Sequence, residues 1–180
     1  SNGTLVSGVN SAVFLNGSSI TANSGAIGVA AIALDGQYTG SSSLPSGMSS
    51  NIDGENNGSI VLGDNSVGLY GKNDSRLSNL NVITMGDNSA GMMTSGVNSL
   101  ITNNGVITLG SGSQGMFLKD GTNITNSAGA SIISTGTNAV GIYADNISAP
   151  ILNDGTIQLL GDKSIGIYTK GASIKTINNT

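Results

Sequence analysis

The sequence predicts an all-β solenoid, a parallel β-helix of about seven coils with three short strands apiece. Three observations carry this. Gly (28), Ser (27), Asn (22) and Thr (15) make up 92 of the 180 residues, so turn formers are everywhere and helix formers are scarce. Hydrophobic residues are 37% and charged residues only 9%, the reverse of the balance that keeps a chain disordered. And one motif recurs along the whole chain.

The motif is clearest at Asn57-Gly58-Ser59-Ile60-Val61-Leu62-Gly63-Asp64-Asn65-Ser66-Val67-Gly68-Leu69-Tyr70. It returns from Val82 to Met93, from Asn104 to Phe117, from Ile132 to Tyr143 and from Ile157 to Tyr168. Two degenerate copies precede it, one leading from Gly8 to Phe14 and one from Gly28 to Leu34. With Gly8, Gly28, Gly63, Gly86, Gly110, Gly136 and Gly161 as anchors, the spacings are 20, 35, 23, 24, 26 and 25. A drifting period of this size is that of a solenoid whose loops vary while its strands keep register. Coils about 4.8 Å apart stack into a rod of roughly 34 Å.

The first strand of a coil is a run such as Ile60-Val61-Leu62. The second runs from Ser66 to Tyr70, with Val67 and Leu69 expected on one face at the strand period of two. The third carries Ile20, Ile52, Leu77, Ile101, Ile124, Ile151 or Ile174, followed by Asn23, Asn56, Asn79, Asn103, Asn126, Asn153 or Asn178. Asn and Gly tolerate the left-handed backbone of a sharp corner, and stacked Asn side chains can hydrogen-bond along the axis. Leucine-rich or helical solenoids conflict with glycine in nearly every strand. A β-sandwich would not require the same columns to recur.

Two columns are expected inside: Phe14, Leu34, Leu69, Met92, Met116, Ile142 and Ile167, and beside it Ala12, Ile32, Val67, Ala90, Val140 and Ile165, with Gln114 a misfit. The next column, Leu15, Asp35, Tyr70, Met93, Phe117, Tyr143 and Tyr168, is expected outside and holds four of the six aromatics. Beside it run Gly68, Gly91, Gly115, Gly141 and Gly166. Tyr70, Met93, Phe117, Tyr143 and Tyr168 are therefore candidate binding residues, since such a face can stack on sugars or pack on a protein. The same column also reads as a cross-strand ladder that serves stability alone. The long step between Gly28 and Gly63 holds about ten extra residues, read as a loop over residues 37–50. Its Tyr38, Leu44 and Met48 are a second set of candidate binding residues, because solenoid insertions often carry binding.

Charge is sparse. Lys72, Lys119, Asp145 and Lys170 share a column nine residues after the anchors, with Asp145 between two lysines. Asp64 and Asp87 stack one coil apart, either sharing a cation such as Ca²⁺ or standing as solvated turn residues. The glycine-aspartate nonapeptide of calcium-loaded β-rolls is absent, and neither a metal nor a cofactor is expected. Gly110-Ser111-Gly112-Ser113-Gln114-Gly115 matches a dinucleotide fingerprint, but a strand follows where a helix would be needed.

Function classes fall with the composition. Without Cys there is no disulfide framework and no thiolate metal site; without His there is no Ser-His-Asp triad. Six basic residues and a net charge of −4 supply no stripe for nucleic acid. No run reaches the length of a membrane-spanning helix, and no signal peptide is recognised. A polysaccharide-cleaving enzyme needs clustered carboxylates, but the nine Asp and one Glu are scattered over turns, so the chain is read as no enzyme. An ice-binding face would be flat and Thr-rich, unlike the expected outward column Val61, Thr84, Thr108, Ser134 and Gln158.

The Asn-x-Gly-x-Ile-x-Leu-Gly-x-x-Ser-x-Gly-Ile-Tyr pattern, from about Gly8 to Thr180, resembles the passenger repeats of large autotransporter (type V secretion) adhesins, most closely those of fusobacterial outer membranes. The resemblance implies a right-handed β-helix displayed on the surface of a Gram-negative bacterium and held in the outer membrane by a C-terminal β-barrel that this chain lacks. Residues 1–180 are then one β-helical fragment of a longer passenger domain, acting as stalk and contact surface. Its partner would be a host-cell or bacterial surface protein or glycan, and its exposed core ends invite end-to-end self-association. A polysaccharide-binding or polysaccharide-cleaving β-helix is the alternative.

Overall fold

The computed structural model describes residues 4–8, 13–33, 52–171 and 176–180. Among the described residues there are only strands, turns and bends, and every strand pair is parallel. The regular coils each hold three strands. β4 (Gly54–Leu62), β5 (Val67–Lys72) and β6 (Arg76–Asn79) are followed by β7 (Val82–Met85), β8 (Ala90–Ser95) and β9 (Leu100–Asn103). Next come β10 (Val106–Leu109), β11 (Gln114–Lys119) and β12 (Ile124–Asn126), then β13 (Ser131–Ser134), β14 (Val140–Asp145) and β15 (Ile151–Asn153). β16 (Thr156–Leu159), β17 (Ile165–Lys170) and β18 (Ile177–Asn179) close the stack. Below it lie β1 (Thr4–Gly8), β2 (Val13–Ala22) and β3 (Ile27–Ala33).

The second strands stack into one seven-stranded sheet, β1-β3-β5-β8-β11-β14-β17. The first and third strands form an eleven-stranded sheet that joins at β4, because β4 passes through a corner without breaking. Its Gly54 to Asn56 pair with β6 as a third strand, and its Ser59 to Leu62 pair with β7 as a first strand. The parallel β-helix is thus as expected. Fewer than seven coils are complete, since the lowest level holds β1 and only the first half of β2.

Three apolar stacks fill the rod. Ile60, Ile83, Ile107 and Ile132 rise from the first strands. Leu69, Met92, Met116 and Ile142 rise from the second, and Leu77, Ile101, Ile124 and Ile151 from the third. All twelve are fully buried. At about 1.5–3 kcal/mol each, such side chains supply the main favourable energy of the fold.

The corners are built from polar residues that bond along the axis. Asn56, Asn79, Asn103, Asn126, Asn153 and Asn179 form a ladder, each Nδ2 donating to the next Oδ1 at 2.6–2.9 Å. Between first and second strands, Asn65, Asn88 and Asn138 take φ of 56°, 53° and 56°, the left-handed conformation that asparagine tolerates. Beside them Ser66, Ser89 and Ser113 accept, at 3.0 Å each, the backbone N–H of the level below.

The register corrects several expectations. Gly28 lies in β3 between Ile27 and Val29, which pair with Val67 and Leu69, so it belongs with Gly68 rather than with the anchor glycines. Gly8 pairs with Ala33 and is not an anchor either. Val29 occupies the inward position given to Leu34 and Phe14; Phe14 pairs with Glu55, and Leu34 lies outside the described residues, as does Ala12. Ile32 pairs with Lys72, leaving Ile27 in the Val67 column. Ile20 pairs with Ile60 in the first-strand stack, and Asn23 follows that strand instead of joining the asparagine ladder. Ile52 precedes β4, and Ile174 lies outside the described residues; Ile177 pairs with Ile151, so Asn179 rather than Asn178 ends the ladder. Ile133, not Ser134, pairs with Thr108 and Gln158; Ser134 is buried, its Oγ donating to the Leu109 carbonyl at 2.9 Å.

Candidate functional site

The second strands break the expected alternation, and this shapes the outer face of the seven-stranded sheet. In β5, Val67 and Tyr70 are half-buried, while Gly68 and Leu69 between them are buried. A Cβ on Gly68 would meet the Gly91 carbonyl oxygen at 2.5 Å and Cγ2 of the buried Ile83 at 2.8 Å. Gly91, Gly115 and Gly141 meet the level above in the same way. The glycine column therefore points into the core, where only a residue without a side chain lets the strand approach the isoleucine stack. The expected solvent-side strip of bare backbone is absent, and so is the inward Val67 column. Ile27, Val67, Gln114, Val140 and Ile165 turn outward, with Ile27 at 40% and Ile165 at 43% exposure, while Ala90 in the same column is buried. Gln114 is consequently no misfit; it stands on the surface.

Two outward columns thus flank a pair of inward residues on every level. The second column is the expected one over five levels: Tyr70, Met93, Phe117, Tyr143 and Tyr168 pair in strict register. Its lower end differs. Ala30 underlies Tyr70, Leu15 pairs with Asn56 in the other sheet, and Asp35 lies outside the described residues. The Phe117 and Tyr143 ring centroids are 5.0 Å apart and those of Tyr143 and Tyr168 4.9 Å, each pair tilted by 39°. Stacked in this way the rings cover one another's faces, so edges and hydroxyls meet solvent.

Two residues further along each strand, Ser95, Lys119, Asp145 and Lys170 pair in a third outward column, and Lys72 is the exposed end of β5 one level below Ser95. Lys170 Nζ lies 3.9 Å from Asp145 Oδ2. The corner beyond carries Asp74 and Asp120. Asp74 accepts from the Asn98 backbone and side-chain amides at 3.2 Å, and Asp120 from Asn146 Nδ2 at 2.8 Å. At the opposite corner the Asp64 and Asp87 carboxylates accept the backbone N–H of Asp87 and Ser111 at 2.8 and 2.7 Å. These aspartates stitch each level to the next. Among the described residues no group of three His, Cys, Asp or Glu side chains is close enough to hold a metal ion. Tyr38, Leu44 and Met48, with the whole loop at 37–50, lie outside the described residues.

One cluster escaped the sequence reading. Asp53, Glu55 and Arg76 are all buried on the third-strand side of two adjacent levels. Asp53 Oδ2 accepts from Arg76 Nε at 3.3 Å and from its backbone N–H at 2.7 Å. The sequence held a signal: the chain's sole arginine follows Asp53 by 23 residues, one coil period.

No protein-family model matches this chain, and no curated protein or solved structure matches it either.

Proposed function

We propose that this chain is a noncatalytic β-helical segment of a bacterial cell-surface autotransporter adhesin, a stalk whose seven-stranded sheet offers its outer face as contact surface. The observation that supports the reading is the concentration of apolar and aromatic side chains in two adjacent outward columns of that one face. Contiguous exposed apolar surface is where proteins dock, and Tyr and Phe supply large contact area at low entropic cost. The outward positions of the first strands are smaller and more mixed and carry no aromatic: Ser59, Val61, Val82, Thr84, Val106, Thr108, Ser131 and Ile133. The repeat's resemblance to autotransporter passengers supports a location outside a Gram-negative cell, with the parent protein anchored in the outer membrane.

The stacked rings favour a second reading, in which the column is a ladder that holds the levels together. One experiment separates the two. A chain carrying Tyr70→Ser, Phe117→Ser, Tyr143→Ser and Tyr168→Ser is compared with wild type for attachment to host cells and to bacteria, and by circular dichroism. Lost attachment with an unchanged β spectrum supports the contact surface. Unchanged attachment, or a spectrum that collapses before attachment is affected, leaves only the ladder. A Thr84→Ala, Thr108→Ala chain controls for general surface change.

A further inference from the structure

We infer that the face binds a linear acidic polysaccharide lying along the rod axis, an inference that rests on the contact-surface reading above. Three of the chain's six basic residues stand in one outward column of this face, in a protein whose net charge is −4. Lys72, Lys119 and Lys170 are all exposed. Their distribution is regular. Ser95, Lys119, Asp145 and Lys170 pair on successive levels and Lys72 ends the strand one level below Ser95, so a lysine returns on every second level. With levels about 4.8 Å apart, the cations recur about every 10 Å. A polysaccharide carrying one carboxylate per disaccharide presents anions on a similar repeat.

The neighbouring column suits the uncharged part of such a polymer. Tyr70, Phe117 and Tyr168 stand two residues from Lys72, Lys119 and Lys170 on the same face of their strands. Because Phe117, Tyr143 and Tyr168 cover one another's faces, a sugar cannot be sandwiched between rings. Their edges form a continuous apolar rail, and tyrosine hydroxyls add donors and acceptors. A rail favours a long polymer over a single sugar. The carboxylates nearby are held in place by contacts within the protein but keep their charge, so the lysines bind a polyanion against them. Asp145 leans on Lys170, while Asp74 and Asp120 accept hydrogen bonds from the level above. Attraction between exposed charges is screened by salt, so binding weakens steeply as ionic strength rises.

The test uses the whole 180-residue chain over immobilised hyaluronan, with dextran as the neutral polymer, at low and high salt. Wild type is expected to bind hyaluronan but not dextran, and to lose it at high salt. Lys72→Gln, Lys119→Gln, Lys170→Gln together should weaken binding about tenfold or more. Lys163→Gln, at a corner off this face, should leave binding unchanged. Asp145→Asn should tighten binding, since it removes the column's one anion. Equal binding of dextran, no binding of hyaluronan, or full binding by the triple variant overturns the inference. If hyaluronan is not bound but the four-serine variant still loses cell attachment, the contact surface stands and the acidic polymer falls.

Discussion

The coils from Ser59 onward and the levels beneath them are built by different rules. Above, each position repeats almost without change: isoleucine in the first strand, glycine and a large aliphatic in the second, isoleucine then asparagine in the third. Below, side chains at equivalent positions shrink or change character. Val29 stands under Leu69, Ala22 under Leu62 and Gly54 under Leu77. Leu15 takes the place of a ladder asparagine, and Asp53 and Glu55 bury charge, Asp53 against Arg76 of the level above. The connection differs too: Gly54 follows Ile32 by 22 positions, whereas their partners Leu77 and Lys72 are 5 positions apart. The upper coils are held by repetition, where any level can stand for its neighbour. The lower levels are held by particular contacts that occur once.

The contrast can be broken most forcefully at the buried pair. Arg76→Met leaves Asp53 as a buried carboxylate without its guanidinium, and should cost about 3–5 kcal/mol. Adding Asp53→Asn should restore much of that loss, because an amide in place of the charge still accepts the Arg76 backbone N–H. Urea midpoints of the single and double variants measure both effects. A single variant as stable as wild type would show that the lower levels do not depend on the pair.

The upper coils answer through the asparagine ladder. Asn103 Nδ2 donates to Asn126 Oδ1 at 2.9 Å, and its Oδ1 accepts from Asn79 Nδ2 at 2.8 Å. Asn103→Ala strands both buried neighbours and should cost about 2–4 kcal/mol, counting one unmet group on each side. The same change at Asn179, the exposed upper end of the ladder, should cost less than half as much. Equal losses in thermal melts would mean that the ladder does not act through burial.

These two sites mark what the sequence could and could not tell. The asparagine column was legible because its residues recur at one period and chemistry gives them one use. The anchor glycines from Gly63 to Gly161 were legible for the same reason. The phase of the second strand was not. Strict alternation makes Val67 and Leu69 share a face, and nothing local reveals that Gly68 and Leu69 both turn inward. That follows from the approach of the glycine to Ile83 one level up, a contact between residues 15 apart. The lower levels were misread because Ile27-Gly28-Val29-Ala30 fits the repeat in two phases once its large side chains are gone. The aromatic column survived in the upper coils because bulky residues leave only one phase to choose.

The glycine column carries a gradient of its own. A Cβ on Gly115 would lie 2.5 Å from the Gly141 carbonyl oxygen and 2.7 Å from Ile132 Cγ2. Gly115→Ala must push two levels apart and should cost about 1–3 kcal/mol. At Gly166, on the top level, an added Cβ meets nothing within 4 Å. Gly166→Ala should therefore stay within about 0.5 kcal/mol of wild type. Chemical denaturation of the pair tests whether glycine is kept here for level spacing. Similar losses at both positions would assign its role to the backbone of each strand taken alone.

The smallest effect is expected where an upper coil departs from its own rule. At the corner before the second strand, the left-handed residue is Asn65, Asn88, Gly112 or Asn138, but on the last level it is Lys163, with φ of 58°. Lysine gains nothing from that conformation, whereas asparagine can hydrogen-bond its own backbone and glycine meets no Cβ penalty. Lys163→Asn should raise stability by up to about 1 kcal/mol, visible as a small rise in melting temperature. Because Lys163 is exposed, little else changes with it. A fall in melting temperature would mean that the lysine charge at this corner contributes more than the left-handed backbone costs. The corner column would then be set by charge on the top level and by backbone conformation on the levels below.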